Sequence, residues 1–467
     1  KFYARLKPVP VKRPKLIKIN KELAEYLGIE VNNTNSKIWE NVFSGNKIAK
    51  SAEPLAMAYA GHQFGHWVSQ LGDGRAILLG ELISKDGYRK DIQLKGSGRT
   101  PFSRMGDGRA WLGPIIREYI VSEAMYKLGI PTTRALAIVE TGETVFREKE
   151  FPGAILTRVA NSHIRVGTFQ YFASRQDFKS VKILADYVIN RHYPECKGKN
   201  KYLQFFQTLV NKQAFLVAKW MSVGFIHGVM NTDNTSIFGE TIDYGPCAFM
   251  DTYDPETVFS SIDQQGRYAY FNQPGITKWN LARLAESLIP LIDNNKDKAI
   301  KIATETINGF AELYKKNWFE MMRKKLGLLG EDLKDEGLII DLLTWMHQNK
   351  ADYTNTFCYL MNKKIQEDKI YNNQGFISWK QQWQERLKLN NNTSEKSLKL
   401  MHSANPLVIP RNHKVEEALE AANNDDLNSM KNLLKILEKP YENQEGINEY
   451  QLPAPPTDEK YQTFCGT

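Results

Sequence analysis

The alternation of apolar and polar positions divides the chain into a strand-rich first third and a helical remainder. An opening segment, KPVPVKRPKLIKIN (7–20), is basic but broken by prolines and reads as a structured arm, followed by a helix from Lys21 to Leu27. A glycine turn, Gly72-Asp73-Gly74, introduces AILLGELI (76–83), a buried strand of ordinary length, and DIQL (91–94) forms a second strand that ends at Lys95. From Gly113 to Leu128 the apolar residues Ile115, Ile116, Tyr119, Ile120, Ala124, Met125 and Leu128 recur at helical spacing, with Pro114 in the first turn and Gly129 as the stop. Two further strands are expected at ALAIVE (135–140) and ETVFRE (143–148), followed by a largely apolar stretch, PGAILTRVANSHIRVGTF (152–169). Helical spacing then runs through 182–189 and 203–226 within a region, 176–226, that reads as helical throughout. Helices are also expected from about Lys278, over 297–326, 335–349 and 355–367, and as two short amphipathic segments in 414–438. Asn390–Asn392 reads as a polar linker, NPLVIPRNH (405–413) as a compact turn, and the tail from Pro440 as irregular.

The order is strands with glycine loops, a lysine-bearing strand, a helix with Glu118 on the edge of its stripe, more strands, then helices. This is the order of a bilobal protein kinase, an α+β fold with a small β-rich N-lobe carrying a glutamate helix and a larger, mostly helical C-lobe with extensions. The expected boundaries are 1–170 for an N-terminal extension and the N-lobe, 171–385 for the C-lobe, and 386–467 for a C-terminal helical extension and tail.

Composition narrows the class. Of 467 residues, 42% are hydrophobic and 25% charged, as in globular proteins, and the longest uncharged run, Pro54–Gly72, holds polar residues and two histidines and cannot span a bilayer. The net charge of +9 is spread rather than gathered in blocks, which admits a phosphate-bearing ligand as readily as nucleic acid. Cys196, Cys247, Cys358 and Cys465 form no C-x-x-C pair, which argues against structural zinc and against a disulfide-stapled secreted domain. A cytoplasmic setting in a bacterium is expected, with a mitochondrial address as the alternative; neither a membrane nor a nucleic-acid partner is.

The chemistry concentrates in FIHGVMNTDNTSIFGETIDYG (225–245). Asn231, Asp233 and Asn234 crowd four loop positions behind an apolar element, a grouping of oxygen donors that suits a hard cation, although such clusters also form ordinary turns. In protein kinases a catalytic loop H-R-D-x-x-x-x-N precedes a D-F-G hairpin. Here His227 is followed seven places later by Asn234, and Asp243-Tyr244-Gly245 takes the D-F-G position. The position of the kinase base is Val229, which can accept no proton; a different carboxylate, Asp233, stands beside Asn234. Upstream, GDGRA occurs at 72–76 and again at 106–110, and Lys95, Arg99, Arg104 and Arg109 share a glycine-rich stretch that reads as anion-binding. Glu118 is placed to reach Lys95, or else to pair at the surface with Arg117 or Lys127. Arg158 and Arg165, seven apart in an apolar stretch, each need an anion.

These segments resemble the selenoprotein O family of pseudokinase-fold proteins. The resemblance is carried by YAGHQFGHW (59–67), LGDGRAILLGE (71–81), DIQLKGSGRTPFSRMGDGRAWLGPIIREYIVSEAM (91–125), LGIPTTRALA (128–137), HGVMNTDNTSIFGETIDYGP (227–246), QGRYAYFNQP (265–274) and NPLVIPRN (405–412), nearly the whole chain. It implies an enzyme that binds ATP inverted relative to kinases and transfers AMP to Ser, Thr or Tyr hydroxyls of proteins. It further implies Asp233 as the base, and Asn234 and Asp243 as ligands of Mg²⁺ or Mn²⁺. Lys95, held by Glu118, would contact phosphates with Arg75, Arg158 and Arg165, while Gly72, Gly74, Asp107 and Gly108 would line the nucleotide. The rival readings are a catalytically silent nucleotide-binding module and a conventional phosphotransferase. Many members carry selenocysteine or cysteine near the C-terminus, where this chain has Cys465. The segment in which some bacterial members hold a second cysteine reads VFSSID here, which leaves Cys247 as an untested partner.

Overall fold

The computed structural model describes residues 1–31, 36–361, 368–390, 394–455 and 461–464. In chain order its strands are β1 (Tyr3–Arg5), β2 (Lys15–Ile19), β3 (Leu55–Met57), β4 (Gly61–Gln63), β5 (His66–Val68), β6 (Ala76–Ile83), β7 (Arg89–Lys95), β8 (Ala110–Trp111), β9 (Arg134–Phe146), β10 (Glu150–Ala160), β11 (Phe225–Ile226) and β12 (Ala248–Phe249). Eight of them form one antiparallel sheet in the order β1-β3-β6-β7-β10-β9-β2, with β8 attached to β10. The register sets Leu156 opposite Lys95 and Arg158 opposite Gln93, so the lysine that ends β7 and the arginine of β10 belong to one region of the sheet.

The β10 strand shows why part of the sheet was hard to read. Gly153 to Ala160 are all buried, so both faces are covered and the period-two alternation that marks a half-exposed strand is absent. The sequence reading took this stretch as apolar without assigning a strand. It also expected two strands where β9 runs unbroken from Arg134 to Phe146 through Gly142, whose φ of +66° suits glycine.

Helices α1 (Lys21–Tyr26) and α2 (Ser36–Phe43) pack on the sheet through Leu23, Ala24, Leu27 and Phe43. Helix α3 (Leu112–Lys127) is buried over nearly its whole length, with Ile116, Ile120 and Met125 fully inside. It is covered on one side by the sheet and on another by α14 (Asn412–Asn423) and α15 (Asn428–Leu437) of the C-terminal segment. The surface pairing considered for Glu118 does not occur. Arg117 bonds Glu416 and Tyr461, and Lys127 reaches Glu22 at 2.7 Å.

The helical part begins with α4 (Val166–Ala173), α5 (Phe178–His192) and α6 (Lys201–Ser222), so the region expected as helical from 176 to 226 is two helices that end before the site. Gly224, with φ +72°, turns the chain out of α6 into β11. Helix α7 (Gln273–Ile292) starts before Lys278, with Pro274 in its first turn. The helix expected over 297–326 is interrupted at Gly309, giving α8 (Lys296–Asn308) and α9 (Phe310–Lys325). Then come α10 (Asp335–Gln348), α11 (Tyr353–Leu360), α12 (Gln374–Lys388) and α13 (Ser394–Ala404). The helix expected over 355–367 thus stops at Leu360, and its remaining positions fall largely outside the described residues.

Asn390 is no solvated linker residue: it is buried and bonds Leu329, Gly327, Ser397 and Arg386. Asn391 and Asn392 lie outside the described residues. The tail is ordered where it is described. It forms a short helix, α16 (Asn448–Gln451), and Thr463 pairs with the Phe259–Ser261 backbone at 2.7 and 3.0 Å. Cys465 lies outside the described residues. No helix among them is long and apolar enough to cross a membrane.

Candidate active site

A cleft of about 430 Å³ lies where the sheet meets the loops after α6. Larger cavities of about 770 and 890 Å³ exist elsewhere, but this one is lined by Gly74, Arg75, Lys95, Arg158, Arg165, Asp233, Asn234 and Asp243, residues drawn from five separate segments. Sequence reasoning named all eight as site candidates. Glu118 stands behind the wall, where its carboxylate accepts from Lys95 Nζ and, at 3.3 Å, from Arg158 Nη1.

Asp243 is the centre of the charge arrangement. Its φ of +62° is a left-handed conformation uncommon for aspartate, and it aims the carboxylate back at the sheet. One oxygen accepts from Arg158 Nη1 and the other from Arg165 Nη1. Arg165 Nη1 also donates to the backbone carbonyl of Asp233 at 2.8 Å, and its guanidinium lies over the ring of Tyr59 at 4.8 Å. Arg158 is held in turn by Gln93 Oε1 at 2.5 Å. Burial opposes ionisation of Asp243, but Arg165, Arg158 and Lys95 outweigh it and hold the carboxyl well below the usual range.

Burial is the largest influence on Asp233 as well, and there it prevails. It pushes that carboxyl up to about 6 against the pull of Arg165. Asp233 Oδ2 accepts from Gln63 Nε2 at 3.3 Å, whereas Oδ1 is buried with no partner. Asn234 donates its side-chain amide to the carbonyl of Val229 at 3.0 Å, which fixes the side chain beside Asp233. His227 is structural: its Nε2 meets the carbonyl of Ile242 at 2.9 Å and its backbone N–H donates to Gln273, tying the loop to the Asp243 segment and to α7.

The remaining candidates lie outside the cleft lining. Gly72, with φ +135°, packs against the Phe102 ring and shapes the turn before Asp73. Asp107 bonds Arg147 at 2.9 and 3.1 Å near the surface, and Gly108 packs on the backbone of Gly98 and Arg99. Several lining residues received no role from the sequence, among them Tyr59, Gln63, Phe64 and Ile262. Gln63 and Asp233 are 170 positions apart, and no local pattern announces such a contact.

Among the described residues no three His, Cys, Asp or Glu side chains group as a closed metal cage. Mg²⁺ bound through one or two protein oxygens plus phosphate needs none; Asn234 and Asp243 line the same cleft, where the Asn234 amide nitrogen is bonded to Val229 and both Asp243 oxygens accept from guanidiniums. Asp233, next in sequence to Asn234, has one buried oxygen with no hydrogen-bond partner.

Comparison with known proteins identifies the family. The family model for protein adenylyltransferase SelO matches residues 1–438. A protein of Pelagibacter ubique named protein nucleotidyltransferase YdiU is 58% identical over 467 residues, covering 100% of this chain and 96% of its own. Proteins of the same name from Bacillus cytotoxicus and Nitrosococcus oceani are 54% and 53% identical, each covering 100% of this chain and 95% of its own. The chain therefore belongs to the protein adenylyltransferase SelO family and is a nucleotidyltransferase.

Proposed function

We propose that the protein transfers AMP from ATP to serine, threonine or tyrosine hydroxyls of other proteins, with the nucleotide lying inverted relative to its pose in a kinase. One observation carries the reading. The kinase base position is Val229, while Asp233, beside Asn234, lines the same cleft and has one carboxylate oxygen with no partner. In this reading Asp233 Oδ1 takes the proton of the acceptor hydroxyl as its oxygen forms a bond to the α-phosphorus. The bond between that phosphorus and the oxygen bridging to the β-phosphate breaks. Diphosphate leaves, and the products are AMP joined to the protein by a phosphodiester and a released proton.

Lys95, Arg75, Arg158 and Arg165 bind the phosphates, and Glu118 orients Lys95. Gly72 and Gly74 let the backbone approach the nucleotide, and Asp107 and Gly108 are assigned to the part that projects from the cleft. Asn234 and Asp243 would hold Mg²⁺, with Mn²⁺ as the alternative, and the cation supplies neutralisation of charge on the triphosphate. Positioning and charge neutralisation dominate such chemistry, which is why the cleft is rich in arginine and poor in nucleophiles. We read residues 1–170 and 171–385 as the two lobes of a kinase-like fold, with 386–467 as an extension. The bacterial sources of the relatives favour a bacterial cytoplasmic enzyme over a mitochondrial one.

The test is incubation with ATP labelled on either the α- or the γ-phosphate, with Mg²⁺ and a protein acceptor, using Asp233→Asn and Asp243→Ala as controls. Transfer of the α-label alone, lost in both controls, is the expected result. Transfer of γ-label would instead establish phosphotransfer, and nucleotide binding with neither label transferred would establish a silent module.

A further inference from the structure

The β4–β5 hairpin is bonded directly onto the catalytic loop. The backbone N–H of His62 donates to Thr232 Oγ1 at 2.8 Å, that of Phe64 to Asn231 Oδ1 at 3.0 Å, and Gln63 reaches Asp233. Phe64 and Gly65 make the tight turn at φ +51° and +85°. Gly61 lies so close that a Cβ there would come within 2.7 Å of Asp233 Oδ1, so glycine is what lets the hairpin pack against the buried carboxylate. Gln63 and Phe64 thereby form one lip of the cleft at the carboxylate assigned to the acceptor.

The outer face of the same hairpin is aromatic and basic. The His62 ring lies between Trp67 at 4.9 Å and Trp279 of α7 at 5.1 Å, and is held by Gln170 at 3.0 Å. Trp67 is 41% exposed. Trp279 is flanked by two guanidiniums, Arg267 at 5.0 Å and Arg283 at 4.9 Å. Arg283 is paired with Glu286 at 2.7 Å. Arg267, among the described residues, pairs with no carboxylate, and its buried Nε has no acceptor.

Arg267 is nonetheless firmly placed. The backbone amides of Arg267 and Tyr268 donate to buried Asp263 at 2.9 and 2.8 Å, and Tyr268 donates its hydroxyl to Asn231 of the catalytic loop at 2.6 Å. The guanidinium carbon lies 3.6 Å from where a Cβ of Gly65 would be. A guanidinium stacked on indole, fixed beside the cleft and lacking an anion, is a preorganised fork for a carboxylate. Arg267 is not among the residues that line the cleft with Arg158 and Arg165, so the phosphates of a nucleotide held there do not account for it.

We infer that the acceptor protein docks on the hairpin and α7 and is recognised there by Arg267 and Trp279 through an Asp or Glu side chain near the modified hydroxyl. This rests on the adenylyl-transfer reading for the identity of the acceptor, but not for the binding itself. The test uses the intact chain and three peptides with one acceptor hydroxyl flanked by Asp/Glu, by Gln or by Lys. Binding is read by fluorescence anisotropy and α-label transfer from ATP as KM and kcat.

The acid-flanked peptide is expected to bind about five- to tenfold more tightly than the neutral one, a difference that shrinks as salt is raised. It is expected to show a lower KM with a similar kcat. Arg267→Gln should erase the preference and Arg267→Glu turn it toward the Lys-flanked peptide, with KM for ATP unchanged. Equal binding of all three peptides by the unmodified protein overturns the inference, as does retention of the acidic preference in Arg267→Glu. Label transfer without acidic preference overturns the docking surface and leaves the activity standing. Acidic preference in binding with no α-label transferred supports the surface and overturns the activity.

Discussion

Two buried charge clusters in this molecule are near mirror images. In the cleft two guanidiniums, Arg158 and Arg165, converge on one carboxylate, Asp243. Just before α14 one guanidinium, Arg411, is held by two carboxylates, Asp251 at 2.6 Å and Asp352 at 2.6 and 3.2 Å. The second cluster is woven into secondary structure. Asp352 caps α11 by accepting from the Asn355 N–H at 2.7 Å, and Arg411 also donates to the carbonyl of Gln451 at 2.8 Å. The first faces a cavity, has Asp243 in an uncommon backbone conformation, and leaves a neighbouring carboxylate oxygen unpartnered. A carboxylate surrounded by cations has positive charge to spare for phosphate; a guanidinium shared by two carboxylates has none. The shifts follow. Burial raises Asp352 despite Arg411, whereas Arg165 and Arg158 hold Asp243 well down.

Breaking each cluster therefore gives a different readout. Asp243→Ala is expected to lower the rate of nucleotidyl transfer by about a thousandfold or more, roughly 4 kcal/mol, because it removes the proposed cation ligand and the anchor of both guanidiniums. Its denaturation midpoint should move little, since the two arginines then face a cavity that water can enter. Asp352→Ala should do the reverse. It leaves a buried guanidinium half-compensated and removes a helix cap, and is expected to destabilise the fold by about 3 kcal/mol with activity per folded molecule retained. Urea denaturation together with initial rates separates the two; equal losses of activity in both variants would erase the distinction between functional and structural charge.

The comparison sharpens when the ligand is supplied. ATP with Mg²⁺ at a hundred times its dissociation constant should stabilise the protein by about 2.7 kcal/mol, read as a rise in Tm. Chelating the metal should reduce the rise, and Arg165→Ala should largely abolish it. Disturbing Arg411 should lower Tm with and without nucleotide by the same amount. A nucleotide-induced rise that survives Arg165→Ala would mean that the cleft guanidiniums serve only Asp243.

What could be read in advance follows the same division between local and distant contacts. Asn234, Asp243 and the position of Val229 were legible because they share one short segment, and Lys95 and Glu118 because a strand and a helix with clear periodicity carry them. The β10 strand was not, since burial of both faces erased its alternation, and its register with β7 is what brings Arg158 beside Gln93 and Glu118. Gln63 and Phe64 lie in YAGHQFGHW, a segment that carried the family resemblance but no contact or role for these two residues. Their function depends on a hairpin bonded to a loop some 170 positions later. The break at Gly309 and the docking of the tail on the Phe259–Ser261 backbone were missed for a related reason, because each depends on what the segment packs against.

A third buried carboxylate, Glu240, gives the smallest effect and tests how far partners rather than burial decide the contrast. It lines the cavity of about 770 Å³ and, among the described residues, pairs with no guanidinium; both its oxygens accept from Asn161, whose own side-chain oxygen accepts from Lys90 at 2.7 Å. Burial dominates and pushes the carboxyl from 4.5 up to about 7, against the lesser pull of Asn161, Lys90 and Lys212. A carboxyl raised in the fold is protonated there at a pH where the unfolded chain has already released the proton. Its contribution to stability is therefore complete below about pH 4.5, declines as pH rises toward about 7, and is lost above that, a change of roughly 3 kcal/mol over the whole range. Glu240→Gln should flatten this slope at the cost of about 1 kcal/mol at acidic pH, because the amide nitrogen cannot accept from Asn161. Urea midpoints at pH 5.5 and 8 measure it. If the unmodified protein and Glu240→Gln lose the same stability between those values, two amide donors suffice to keep a buried carboxylate ionised, and the guanidiniums around Asp243 are more than charge balance requires.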